Sequence, residues 1–340
     1  MRVAAIGRTH WLYDSIRACV KTGHQIVLIG TSPAESEYSK TQEDFKDLAE
    51  ELGCPFFCST VINSPEYIQI FRQSGAEIAI SVNWQMMIGQ EILEQFKYGV
   101  INAHAGDLPR FKGNACPNWA ILSGEEKVVL TLHFMDVSLD GGPILLQREF
   151  PLRSDTYISE VYQFMSKNIP SMFVEVLDGL SSGAIVPRPQ PDDPALCLRC
   201  FPRLPQDGEV DWNRSAVELS RLVRANSEPF VGAYSFIDTE KIIIWRAHPE
   251  KLPYPYLGVP GQVVEIRHNM GSVAVLTGEG VLVLEEIEMA SGGRYPASDL
   301  IKSTRIRLGL DFAKALMRLD DRMTQLERKL QQIPNKGNDG

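Results

Sequence analysis

Short apolar runs alternate with helix-like segments over residues 1–150, and this alternation restricts the N-terminal part of the chain to one fold class. Continuous apolar strands separated by helices predict an α/β fold, with a mostly parallel, Rossmann-like sheet that helices cover on both faces. The apolar runs cover residues 2–7, 25–30, 77–82, 100–103, 127–135 and 142–152, and the helical patterns cover residues 11–22, 41–52, 65–74 and 157–179.

A proline-rich segment separates this part from the rest of the chain. Four prolines lie within residues 187–194, which is the composition of a stiff, extended linker. Beyond it, a helix is expected at residues 215–225, and strand-like runs from 233 to 287 predict a small β-barrel-like (OB-like) domain. We expect a catalytic domain at residues 1–186, a linker at 187–197, a β-rich domain at 198–310 and an amphipathic helix with a tail at 311–340.

The C-terminal tail repeats large apolar residues at intervals of four and three. Charged residues fill most of the other positions, so the apolar residues form one narrow stripe on a helix. Such a stripe is buried against a second helix or against the chain's own domain. The spacing therefore predicts a homodimer through this helix, with a docked helix as the alternative. The stripe consists of Phe312, Leu316, Leu319, Met323, Leu326, Leu330 and Ile333.

Composition disfavours several functional classes. Hydrophobic residues make up 44% of the chain and charged residues 23%, as in an ordinary globular protein. No apolar run approaches the roughly 20 residues that span a bilayer, and the N-terminal run is too short for a signal peptide, so we expect a cytoplasmic protein without a membrane partner. The net charge of −9 disfavours a nucleic-acid partner. Cys197 and Cys200 form a lone CxxC, which predicts two thiols and no metal site.

Three polar side chains lie within residues 102–140, a segment rich in turn residues. Asn102 and His104 follow an apolar run, and Asp140 precedes two glycines. Functional side chains of parallel sheets gather at the carboxyl ends of the strands, and positions two apart on a strand share a face. An amide stabilises an oxyanion, an imidazole transfers a proton, and a carboxylate orients the imidazole. The trio therefore predicts acyl transfer to an amine.

The motif around this trio resembles the signature of the 10-formyltetrahydrofolate-dependent formyltransferases. It comprises Asn102 and His104, Leu108-Pro109, Gly113, Pro117-Asn118-Trp119-Ala120-Ile121, and Asp140-Gly141-Gly142. Beyond the linker, residues 203–212 and 223–234 resemble the C-terminal domain shared by methionyl-tRNA formyltransferase and UDP-4-amino-4-deoxyarabinose formyltransferase. The resemblance covers about residues 1–310. It implies 10-formyltetrahydrofolate as the formyl donor, no metal, and catalysis by Asn102, His104 and Asp140.

Within this family the chain resembles the sugar N-formyltransferases most, because of the loop after the second strand. The tRNA enzymes carry a cationic loop there that grips tRNA, whereas residues 31–44 of this chain are acidic with a single lysine, Lys40. The resemblance implies a nucleotide-linked amino sugar as the acceptor, for example in lipopolysaccharide O-antigen synthesis. Formylation of another amine stays open: methionyl-tRNA, an amino acid, a hydroxylamine or a carrier-bound aminoacyl group. A non-catalytic scaffold is disfavoured by the intact trio.

Candidate folate residues follow from the same resemblance, and candidate acceptor residues follow from their position in the predicted fold. Folate candidates lie in the loop after residues 77–82 and in the loop before Asp140: Trp84, Met86, Met87, Ile88, Asp136, Val137 and Leu139. Acceptor candidates follow the first strand or surround the catalytic loop: Arg8, His10, Trp11, Arg110, Lys112, Asn114 and Asn118. Three further histidines lie in strand-like runs and are expected to be structural: His133, His248 and His268.

Overall fold

The computed structural model describes residues 1–35, 38–290 and 292–331, with side chains as far as residue 328 in the last helix. The chain forms two compact units, residues 1–203 and 204–340. Residues 198–203 lie in the first unit because the strand Leu198–Cys200 pairs with the strand Phe111–Gly113. The start of the second domain expected from the sequence, residue 198, lies within this pairing strand.

A seven-stranded sheet forms the centre of the first unit, in the order β3-β2-β1-β4-β5-β7-β8. The five strands from β3 to β5 are parallel, whereas β7 is antiparallel to both β5 and β8. Burial on both faces explains the continuous apolar sequences of β1 and β4. The predicted Rossmann-like sheet is therefore confirmed. The strands are β1 Arg2–Gly7, β2 Gln25–Thr31, β3 Phe56–Cys58, β4 Ile78–Val82, β5 Val100–His104, β6 Phe111–Gly113, β7 Lys127–Phe134, β8 Ile144–Pro151 and β9 Leu198–Cys200.

Six helices accompany this sheet in the described part of the first unit. Helices α1 and α6 pack against each other, while α3 and α4 contribute Phe71 and Ile92 to an apolar cluster that includes Ala4 and Ala79 of the sheet. Their bounds are α1 Thr9–Lys21, α2 Gln42–Leu52, α3 Pro65–Ser74, α4 Gln90–Leu93, α5 Cys116–Ser123 and α6 Ile158–Ser182, with a short 3₁₀ turn at Pro194–Leu196.

Antiparallel strands build the second unit, in the order β10-β11-β14-β13-β12, and β15 pairs with β14. Residues 306–309 join the two outer strands, since Gly309 N–H donates to Phe236 O at 2.9 Å and Val263 N–H donates to Ile306 O at 3.1 Å. This closure fits the expected barrel-like domain. The elements are a 3₁₀ turn Pro205–Gly208, α7 Ala216–Asn226, β10 Ala233–Ile237, β11 Glu240–Glu250, β12 Val263–Arg267, β13 Ser272–Leu276, β14 Val281–Met289, β15 Arg294–Pro296 and α8 Ala297–Leu300.

The chain continues into helix α9, Phe312–Gln331, as the apolar spacing predicts. The stripe side chains from Phe312 to Leu326 are 53–73% exposed, so α9 does not dock its apolar stripe on the second unit. The expected continuation of the stripe, the side chain of Leu330 and residue Ile333, lies outside the described residues. Across the described ranges, every helix is too short or too polar to cross a membrane.

Candidate active site

Strand β5 places Asn102 and His104 at the carboxyl edge of the parallel strands. Its neighbour β7 is antiparallel to it, and the register sets Asn102 opposite His133. Side chains that lie opposite each other on neighbouring strands project from the same face of a sheet. Asn102 Nδ2 accordingly lies 3.2 Å from His133 Nε2. Asn102 and His104 line the same cavity, as positions two apart on a strand can do.

The ring of His104 is buried, and one hydrogen bond decides which of its two nitrogens carries the hydrogen. Nε2 lies 2.6 Å from the carbonyl oxygen of Phe111, which can only accept, so Nε2 carries the hydrogen. In the neutral ring Nδ1 is then unprotonated, and it lies 3.7 Å from Asp140 Oδ2. Nδ1 is therefore the atom that can take up a proton, beside a carboxylate that favours the resulting charge.

The loop after β5 closes tightly over His104. A Cβ at Gly106 would lie 2.4 Å from His104 Nε2 and 2.1 Å from Phe111 O, so a side chain at this position would collide with both. Thr131 of β7 holds the loop by donating its hydroxyl to Gly106 O at 2.7 Å. The orientation of His104 thus depends on a close backbone approach that glycine permits.

Asp140 reaches His104 from the loop between β7 and β8. Its φ of +48° lies in the left-handed region, which Asp and Asn adopt more readily than most residues. Asp140 Oδ2 accepts a hydrogen bond from Gly113 N–H at 2.8 Å. Gln190 Nε2 holds the backbone of this loop by donating to Asp140 O at 2.8 Å and Gly142 O at 2.7 Å. The proline-rich segment that carries Gln190 therefore helps to shape the site, although its composition indicated only a linker.

His133 belongs to the site, although the sequence analysis expected it to be structural. Its Nδ1–H donates to Phe134 O at 2.7 Å, which leaves Nε2 as an acceptor for the Asn102 amide. Burial, with a smaller contribution from the nearby His104, lowers the pKa of His133, so the ring stays neutral and keeps this acceptor. His133 thereby orients Asn102. A strand-like pattern alone does not indicate which polar side chains across a sheet will meet.

One buried thiol, that of Cys116, lies beside His104, and a second, that of Cys200, lies beside Cys116. Cys116 Sγ lies 3.7 Å from His104 Nε2. The hydrogen bond between the Cys116 and Cys200 thiols, together with burial, raises the pKa of Cys116, and the same bond lowers the pKa of Cys200. Cys197, the other member of the CxxC, is exposed. Among the residues that the structure describes, no group of three or more His, Cys, Asp or Glu side chains is placed to hold a metal ion.

A cavity of about 440 Å³ opens in front of these side chains, within the usual size range of small-molecule sites. Five of the expected folate residues line it: Trp84, Met86, Met87, Asp136 and Leu139. The other two do not, since Ile88 is buried in the apolar core and Val137 is exposed. Trp84 Nε1 is buried and has no hydrogen-bond partner among the described residues.

The expected acceptor residues divide between the cavity and its surroundings. Trp11 and Asn114 line the cavity. Trp11 stacks on Tyr162 with ring centroids 5.3 Å apart and donates Nε1–H to Ser166 Oγ at 2.8 Å. Ser166 Oγ also lies 2.9 Å from His10 Nε2. Trp11 therefore forms a fixed wall of the cavity.

In the described part of the chain, the other acceptor candidates lie outside the cavity lining: Arg8, His10, Arg110, Lys112 and Asn118. Arg8 is buried, donates to Asn83 O at 3.2 Å and pairs with Glu35 at 3.4 Å. Arg110 forms a two-point ion pair with Glu125 at 2.6 and 2.8 Å. Arg199 of β9 does line the cavity. Sequence reasoning missed it because the CxxC that contains Arg199 indicated only two thiols.

The arrangement has the components for transfer of an acyl group to an amine. Asn102 directs one N–H to His133 and keeps a second N–H for a negatively charged oxygen. His104 offers an unprotonated Nδ1, and Asp140 lies close enough to stabilise its protonated form. The buried setting strengthens each of these electrostatic interactions.

Comparison with known proteins identifies both units. Residues 1–177 match the family described as Formyl transferase, and residues 204–305 match the family described as Formyl transferase, C-terminal domain. A methionyl-tRNA formyltransferase from Citrifermentans bemidjiense is 29% identical over 314 residues, which is 91% of this chain and 95% of the relative.

Two solved structures share the fold at low sequence identity. An N-formyltransferase from Helicobacter canadensis, in complex with folinic acid and dTDP-3-aminofucose, has a TM-score of 0.60 at 14% identity, over 87% of this chain and 100% of that one. HypX from Aquifex aeolicus, in complex with tetrahydrofolic acid, has a TM-score of 0.56 at 18% identity. The HypX match covers 89% of this chain and 47% of HypX, so this chain spans about half the length of HypX.

Proposed function

The chain belongs to the formyl transferase family, and from that premise we propose that Asn102, His104 and Asp140 are its catalytic residues. It is a folate-dependent enzyme that transfers a formyl group to an amine. One observation carries the assignment of the trio. Asn102, His104 and Asp140 line one cavity, and the unprotonated Nδ1 of His104 lies 3.7 Å from the Asp140 carboxylate.

Each member of the trio has one task in the proposed reaction. The amine nitrogen attacks the formyl carbon, and Asn102 donates its second N–H to the oxygen that becomes negatively charged, which is worth about 10²–10³ in rate. His104 Nδ1 takes the proton from the attacking nitrogen, which contributes about 10²–10⁴. Asp140 stabilises the imidazolium until the proton passes to the departing nitrogen. The bond from that nitrogen to the formyl carbon then breaks.

For the formyl donor we propose 10-formyltetrahydrofolate, held along the wall formed by Trp84, Met86 and Met87. The loop that carries them is fixed by Asn63, whose side chain donates to Met87 O at 2.8 Å and accepts from Gly89 N–H at 2.7 Å. The partnerless Trp84 N–H offers a donor to a polar ring edge. An apolar slot with a few fixed polar groups is what a flat, heteroatom-rich ring system requires.

The first candidate for the acceptor is an aminoacyl-tRNA. The supporting observation is that similarity to a methionyl-tRNA formyltransferase extends through both units and nearly the whole length of both chains. An aminoacyl group carries the primary amine that the chemistry requires. This candidate runs against the expectation from net charge that the chain has no nucleic-acid partner.

A nucleotide-linked amino sugar is the second candidate, favoured by the charge around residues 31–44. Arg8, at the end of β1, pairs with Glu35 of this loop, and Lys40 pairs with Asp44 at 2.8 Å. Cations that are already paired have less to gain from tRNA phosphates. A sugar nucleotide needs only a few polar contacts, and lipopolysaccharide O-antigen synthesis is the expected context for such a product.

One panel of acceptors separates the candidates. Methionyl-tRNA and dTDP-, UDP- and GDP-linked amino sugars are each supplied with 10-formyltetrahydrofolate. We expect one class to be formylated with a kcat/KM at least about 100-fold above the other, and Asn102→Ala to lower that rate by about 10²–10³. Asn269→Ala, an exposed amide of the second unit, is the matched control. An active Asn102→Ala variant would remove Asn102 from the mechanism, and inactivity on both classes would reject both acceptors.

Three other expectations stay predictions. They are a cytoplasmic location, a homodimer, and a division into a catalytic domain at 1–186, a linker at 187–197, a β-rich domain at 198–310 and a helical tail at 311–340. Of the acceptor residues, we propose Trp11 and Asn114 as direct contacts because they line the cavity.

A further inference from the structure

Helix α9 presents an apolar stripe that its own unit leaves uncovered along its described length. The stripe consists of Phe312, Leu316, Leu319, Met323 and Leu326, and every one of these side chains is at least 53% exposed. Their spacing of four and three assigns Phe312, Leu319 and Leu326 to the d positions of a heptad, and Leu316 and Met323 to the a positions. A stripe restricted to a and d positions is the narrow seam of a coiled coil.

The opposite face of α9 is the one that contacts the second unit. Lys314, at an f position, places Nζ 2.7 Å from Asp238 Oδ1 in the turn between β10 and β11. Arg318, at a c position, donates to Thr239 Oγ1 in the same turn. These polar contacts attach the face of α9 opposite the apolar stripe to the second unit, so the stripe points away from that unit. The chain's own barrel is therefore not the surface that covers the stripe.

The charges beside the stripe select one partner and one orientation. Arg322 occupies a g position, whereas Asp320 and Glu327 occupy e positions. In a parallel pair of identical helices, g of one helix lies next to the e position five residues further on in the other, so Arg322 meets Glu327 of the partner subunit. Symmetry repeats this attraction on the other side. In an antiparallel pair, e positions face e positions, which brings like charges together.

We propose that α9 forms a parallel, two-stranded coiled coil with α9 of a second copy of this chain. The described stripe spans two heptads, and Leu330 and Ile333 continue the same spacing in the sequence, which approaches the roughly three heptads that a coiled coil requires. The narrow seam suits two strands, and the charges suit the parallel arrangement.

The first test concerns the stripe and uses the full chain in sedimentation velocity. We expect the parent to be a dimer and the double variant Leu319→Asp with Met323→Lys to be a monomer, because both charges fall in the middle of the seam. Met317→Asp is the matched control. Met317 is 67% exposed on the same helix but lies at a b position, so this variant should remain a dimer. A monomeric or trimeric parent, or a dimeric double variant, overturns the proposal.

The second test concerns orientation. In a parallel pair, Arg322→Glu sets two glutamates beside each other and Glu327→Arg sets two arginines beside each other. Each single variant should therefore raise the dimer Kd by about tenfold, and the combined variant should return it close to that of the parent. Circular dichroism of each variant checks that helicity is retained. If Arg322→Glu dimerises as tightly as the parent, the helices are not parallel.

Discussion

Replacement of Asp140 by asparagine removes one charge from the site and changes little else. Asn tolerates the φ of +48° at this position, and its side-chain oxygen can still accept from Gly113 N–H. The charge lies 3.7 Å from His104 Nδ1. Two unit charges at about this separation interact by about 4 kcal/mol at the effective dielectric constant near 20 that suits such pairs. If the imidazolium is fully formed at the transition state, turnover should fall by about 10³.

Initial rates and single-turnover rates of formyl transfer measure this loss, the latter without a contribution from product release. Asp155→Asn is the matched control, since Asp155 is an exposed carboxylate paired with Arg153 in the same unit. Asp140→Ala should lose more than Asp140→Asn, because alanine is strained at positive φ and cannot hold Gly113. If Asp140→Asn keeps turnover within about threefold of the parent, charge stabilisation of His104 is not part of catalysis.

Two further predictions concern folate affinity and acid stability. Trp84→Phe keeps a ring but removes the buried N–H, so calorimetry with 5-formyltetrahydrofolate should show affinity about fivefold to tenfold weaker, whereas Trp119→Phe, outside the cavity lining, should bind like the parent. The lowered pKa of His133 means that the unfolded chain takes up a proton first as pH falls below 6.5. The parent should therefore lose Tm between about pH 6.5 and about pH 4 more steeply than His133→Gln, and exposed His268→Gln should follow the parent. Equal slopes for all three would refute a neutral, buried His133.

The fold class was predictable because its signals are local. Apolar runs bounded by turns mark β1, β2, β4 and β5, and burial on both faces requires those runs to be continuous. Shorter elements escaped prediction. Strands β6 and β9, three residues each, carry no periodicity, and their pairing joins segments that are distant along the chain. The same pairing explains why the proline-rich segment belongs to the first unit.

That Asn102 and His104 lie together was predictable for a similar reason. Asn102 and His104 share one strand, and their motif is contiguous in the chain. Their partners were not, because each comes from another element: His133 lies across the β5–β7 register, and Gln190 reaches the Asp140 loop from residues beyond α6. The sequence also did not indicate that two acceptor candidates are already neutralised. Arg8 and Arg110 each form an ion pair with a carboxylate of this chain.

The sequence by itself determined the longer strands and helices, the order of the motif from Asn102 to Asp140 and the apolar stripe of α9, because periodicity and motif spacing are properties of neighbouring residues. Only the tertiary structure decided which polar atoms meet around the cavity and which face of α9 remains exposed. These outcomes depend on strand register, loop closure and the contact of Lys314 with Asp238. Such contacts join residues far apart in the chain, and a one-residue change of register would exchange the side chains that face the cavity.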